Sequence, residues 1–127
     1  MKRTLITTAA VLACALAVCA LSLAALTHAV SEAGDLCSAA VLAVEERRVA
    51  QAKSLMVELA EYWEAHSAML EFIVNHDALN EVAGAFAEAQ ICLECADHDD
   101  FLRTMSTAQR GLEHLRFDES LCWQNLY

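Results

Sequence analysis

Apolar and polar positions divide the chain into stretches of different texture. Residues 5–26 carry no charge; as a helix rising ~1.5 Å per residue they would extend roughly 33 Å, the thickness of a bilayer core. From residue 31 the apolar positions turn periodic. Residues 31–47 form a moderately apolar helix with Leu36, Ala40, Val41 and Val44, continuing from the span, with Gly34 as its one hinge. Residues 48–74 place Ala52, Met56, Leu59, Trp63, His66, Leu70 and Ile73 at alternating steps of four and three, an apolar seam with Glu58, Glu61, Glu64 and Glu71 largely off it. Asn75-His76-Asp77 breaks that pattern, and Asn75 or Asp77 can cap the next helix.

A third helix over 77–96 repeats the seam at Leu79, Val82, Phe86, Ala89, Leu93 and Ala96. The polar turn Asp97-His98-Asp99-Asp100 puts carboxylates at the start of a fourth helix, where its dipole favours them. That helix, over 99–115, carries Phe101, Met105, Ala108, Leu112 and Leu115. An apolar tail with Phe117, Leu121, Trp123, Leu126 and Tyr127 returns to the membrane end. Short connections force antiparallel neighbours, so the pattern predicts an all-α protein: residues 1–30 as a transmembrane helix, and residues 31–127 as an antiparallel up-and-down helical bundle. One length is discordant: a 48–74 helix would run about 40 Å, against roughly 24 Å for its partner after residue 30. Either the span ends early, Gly34 tilts the bundle, or the second helix is broken.

Lys2 and Arg3 precede the span, and Glu32 and Asp35 come after it, which orients the N-terminus to the cytoplasm and the remainder outside. The competing reading is a secreted chain released by signal cleavage at Thr27-His28-Ala29, a small-x-small site. The apolar run exceeds the usual h-region, which favours an uncleaved anchor. Val11-Leu12-Ala13-Cys14 as a lipoprotein box is a third and remote reading.

Composition narrows the function classes. The 127 residues include no proline and three glycines, which excludes collagenous and linker-like chains and disfavours a many-turned β-sandwich. After residue 30 there are 6 basic against 18 acidic residues, a balance of −12. Such a domain repels polyanions, so nucleic acid and anionic headgroups are disfavoured as partners.

Cys14 and Cys19 lie in the span as small apolar residues. Outside it, Cys37, Cys92, Cys95 and Cys122 allow three disulfide connectivities, whose redox state and pairing the spacing leaves open. Cys92, Cys95 and His98 sit at three-residue intervals near a helix end, a spacing compatible with one soft metal but with no fourth ligand specified. Pairing across a hairpin centred near residues 97 and 98 puts His114 beside Glu81, with His76 about a turn away, a second candidate metal cluster. The bland readings are preferred for both: buried small thiols in one case, a helix cap and a loop contact in the other. His66, on the seam, reads as a hydrogen-bonded packed imidazole. Glu-x-x-His and His-Glu-x-x-His signatures are absent, as are a phosphate loop and a nucleophile elbow. No metal or cofactor is favoured, and no enzymatic activity is expected.

Several weak motifs occur in a telling order: Glu-Tyr-Trp-Glu at 61–64, the run from Phe72 through Asn75-His76-Asp77 to Glu81, the Asp-rich turn before Phe101, Leu112-Glu113-His114-Leu115, and a terminal Asn125-Leu126-Tyr127. In this order the chain resembles domain of unknown function 4363, short membrane-anchored bacterial proteins found mainly in Firmicutes-type organisms. The resemblance implies a span plus a helical bundle and no known activity. Members are often encoded beside a multi-span membrane protein, which implies a partner of that kind. This chain is richer in alanine and cysteine than the family pattern.

Two function classes remain. The first is a membrane-anchored, non-enzymatic interaction or assembly module, in the bilayer through residues 5–26 and packed against another, multi-span membrane protein. The second is an extracytoplasmic metal- or redox-responsive bundle using one of the two candidate clusters.

Overall fold

The computed structural model describes residues 1–125, with side chains as far as Leu115. Its described residues form helices α1 (Lys2–Glu45), α2 (Val49–Leu70), α3 (His76–Glu94) and α4 (His98–Asn125), and no strand. α1 packs on α2 and α4, and α3 on α2 and α4, closing an antiparallel up-and-down ring around one core.

α1 is a single helix from the apolar segment into the bundle. Its first 24 positions are almost entirely exposed. From Leu26, which is 1% exposed, a buried face runs through Ala29, Ala33, Cys37, Ala40 and Val44 at steps of three and four. Gly34 is helical within this stretch and makes no hinge: one helical glycine costs only about 1 kcal/mol relative to alanine, which the packing of a long helix offsets. The core therefore reaches back past the boundary expected at residue 30, into the last residue of the expected span.

α2 ends at Leu70 rather than at residue 74. The amides of Ile73 and Val74 both turn back to the Leu70 carbonyl, at 3.0 and 2.8 Å, which tightens the chain out of the helix. Asn75 is the residue that caps α3, its side-chain oxygen accepting from the Asp77 amide at 3.0 Å. The earlier end of α2 and the earlier start of the core in α1 remove the length discordance. The 22 residues of α2 rise about 33 Å and the part of α1 from Leu26 to its end about 30 Å.

The other two turns share one geometry. After α1, the Arg48 amide bonds to the Ala43 carbonyl and the Arg47 amide to that of Val44, with Arg47 left-handed at φ 63°. After α3, Asp97 bonds to Cys92 and Ala96 to Leu93, with Ala96 at φ 57°. This is the Schellman closure, here made twice without glycine. It explains why Ala96, expected on the third seam, is exposed instead. The buried positions repeat as well, 49 residues apart: Ala40 with Ala89, Val44 with Leu93, Met56 with Met105. The two halves of the bundle are thus matched helical hairpins.

Asp97 caps α4 by accepting from the Asp100 amide at 3.2 Å. The helix does not stop at residue 115 but stays helical to Asn125, so the expected tail is a continuation of α4. The side chains of Phe117, Leu121, Cys122 and Trp123 lie outside the described residues, as do Leu126 and Tyr127 altogether.

Candidate functional site

Among the described residues, the most extended run of exposed apolar side chains is the N-terminal part of α1. Leu5, Ile6, Val11, Leu12, Leu16 and Leu21 all stand more than half exposed. Two of its polar side chains are satisfied within the helix, Thr7 Oγ1 donating to the Arg3 carbonyl and Thr8 Oγ1 to that of Thr4, both at 2.7 Å. Internal satisfaction of this kind suits a medium without water. Residues 5–25 would rise about 32 Å, so this helix is long and apolar enough to cross a membrane. The same length and composition are found in signal sequences.

The two clusters suggested by sequence are not assembled. Among the described residues, no three His, Cys, Asp or Glu side chains converge in a way that could hold a metal ion. His76 pairs through Nδ1 with Glu71 Oε1 at 3.2 Å, across the α2–α3 turn, and not with Glu81. Glu81 and His114 do line one groove between α3 and α4, together with Arg110 and Thr107. His76 is not part of that lining. Cys92 packs partly against the core, while Cys95 is exposed at the end of α3 and His98 begins α4 beyond the turn.

Cys37 lies in the core with 0% exposure, and burial pushes its thiol up to about 12. That thiol is protonated at neutral pH and inert. His66 is the packed imidazole the sequence suggests: its Nδ1–H donates to the Tyr62 carbonyl at 2.8 Å and its ring stacks on Tyr62 with centroids 4.1 Å apart. Burial of the Tyr62 phenol, and after it the Glu32 carboxylate of α1, push that hydroxyl above its ordinary range.

A second groove runs between α2 and α3, lined by Trp63 and Phe86 with Ala60, Ser67, Ala83 and Glu64 along it. Sequence reasoning missed Phe72, the most exposed aromatic among the described residues, because the apolar pattern carries the second helix through it. Its signal is present: Phe72 falls off the seam and just before the Asn75-His76-Asp77 break.

No curated protein and no solved structure matches the chain. The family described as Domain of unknown function (DUF4363) matches residues 21–126, more than four fifths of the chain. The match begins just before the first buried position of α1 and covers the whole bundle. The chain belongs to the DUF4363 family.

Proposed function

We propose that the chain is a membrane-anchored, non-enzymatic interaction or assembly module. Residues 5–25 cross the bilayer with Lys2 and Arg3 on the cytoplasmic side, and the acidic bundle stands outside, where it and the span pack against another membrane protein. The observation that carries this reading is the unbroken passage of α1 from an exposed, uncharged segment into the wall of the bundle. A span joined without a linker holds the domain at one height and orientation, as an assembly module requires. Leu26 and Ala29 support retention of the span, because cleavage after Ala29 would strip both from the core. The grooves flanking α3 have small residues on their walls and charged residues around them, a relief that fits a neighbouring helix better than a small substrate.

Carbonate extraction followed by intact mass of the membrane fraction tests the anchor. The full-length mass is expected in the pellet, and a soluble chain starting at Val30 overturns the proposal. Cross-linking in native membranes before detergent purification tests the partner: one stoichiometric membrane protein is expected, and a chain recovered alone rejects the assembly role.

A further inference from the structure

Phe72 sits in the turn between α2 and α3 and is 93% exposed. One exposed phenylalanine is ordinary on a protein surface; what singles this one out is the surface toward which the fold turns it. α1 enters the core at Leu26 and reaches its turn at residues 46–48 at the far end. α2 returns antiparallel over nearly the same length, so Leu70, its last buried residue, comes level with Leu26. The α2–α3 turn therefore lies at the end of the bundle from which the apolar segment of α1 emerges.

The heights agree. If residues 5–25 fill a hydrocarbon core of roughly 30 Å, Leu26 stands at its outer edge. Phe72, two residues beyond Leu70, then stands at that same edge. The turn is built to hold it outward: Ile73 and Val74 are half-buried against the core, and the Glu71–His76 pair ties one side of the turn to the other. Met69 adds a second partly exposed apolar side chain at this end. Tryptophan and tyrosine form the aromatic belt at this depth of a bilayer because each carries a polar handle. A phenylalanine ring has none, and there it leaves water on the acyl-chain side of the boundary while the polar residues next to it stay among the headgroups. The carboxylates of Glu71 and Asp77 beside it select a zwitterionic over an anionic surface.

We infer that Phe72 is a membrane-interface contact: the α2–α3 turn rests on the outer leaflet of the same bilayer that α1 crosses, and fixes the tilt of the bundle against it. This rests on the anchored reading proposed above. The partner is zwitterionic lipid at the boundary between headgroups and acyl chains.

The test uses the full chain in phosphatidylcholine vesicles, with the photoreactive p-benzoylphenylalanine placed at position 72, 12 or 91 in turn. Phe72 and Ile91 are both exposed, so neither replacement opens the core, and Ile91 lies near the opposite end. Helix content by circular dichroism confirms the fold of each variant. The expected result is a lipid-mass adduct at positions 12 and 72 and none at 91. An adduct at 12 but not at 72, equal labelling of 72 and 91, or a cross-link from 72 to a second copy each overturn the inference and leave the anchor intact. Loss of the adduct at 12, with the chain released by carbonate, overturns the anchored reading itself.

Discussion

The indole of Trp63 meets the ring of Phe86 edge-on, with centroids 5.7 Å apart and planes at 87°. This contact joins α2 of the first hairpin to α3 of the second, where the two matched halves close on each other. Trp63 is 3% exposed, and its Nε1 is buried with no hydrogen-bond partner. Its contribution is therefore apolar area and ring packing, not a donated hydrogen bond.

Trp63→Ala is expected to cost about 3–5 kcal/mol, a large share of the stability of a small domain. Trp63→Phe keeps much of the area and removes a buried donor that nothing accepts, so it should cost far less. Chemical denaturation of the full chain in detergent, monitored by circular dichroism, separates the two. Equal losses for both variants would mean that the indole nitrogen matters.

The two left-handed residues make a paired prediction. Arg47→Gly and Ala96→Gly relieve a conformation that costs an L-residue about 1 kcal/mol or more, and each should raise the denaturation midpoint. Gly84→Ala should also stabilise, by about 1 kcal/mol, because an added Cβ meets nothing within 4 Å. Gly111→Ala should gain less, since its Cβ would stand 3.0 Å from Val82 Cγ2. A midpoint lowered by Ala96→Gly would reject the Schellman closure.

A chain beginning at residue 31 should be markedly less stable than one beginning at residue 21. The shorter piece lacks Leu26, Ala29 and Val30, all buried, of which Leu26 and Val30 alone are worth about 1.5–3 kcal/mol each. Thermal melts of the two pieces compare them directly, and identical midpoints would place the start of the core after residue 30.

Cys37 imposes an alkaline limit. Its thiol is pushed from 9.0 to about 12 by burial, so between those values the unfolded chain releases a proton that the folded chain keeps. Stability is unaffected below pH ~9 and falls as pH rises toward the folded value. Cys37→Ala should therefore lose less stability than the parent chain between pH 7 and 10.5, whatever its cost at neutrality. Parallel pH dependences for the two chains would exclude the buried thiol as the cause. At pH 8, iodoacetamide should modify the exposed Cys95 and spare Cys37 until the chain unfolds.

Much of the fold was legible in the sequence because the seams of α2, α3 and α4 alternate apolar with strongly polar positions. Ala52, Met56, Leu59 and Trp63, then Leu79, Val82 and Phe86, then Phe101, Met105 and Leu112, are buried as their spacing requires. A helix that is polar on three sides has one way to bury its fourth. α1 offers no such contrast: alanine, leucine and valine occur on every face, so periodicity alone cannot separate a lipid-facing position from a core one. Only packing against α2 and α4 decided that burial starts at Leu26 and that Cys37, a residue read by its chemistry, is a core side chain. The surroundings of His76 and of Phe72 were not legible for a related reason. Hairpin register, a property of helix rise, is enough to put His114 and Glu81 on one groove. The partner of His76 and the outward pose of Phe72 depend on where α2 stops, and that was set by carbonyl and cap geometry at Leu70 and Asn75 that no hydrophobic period encodes.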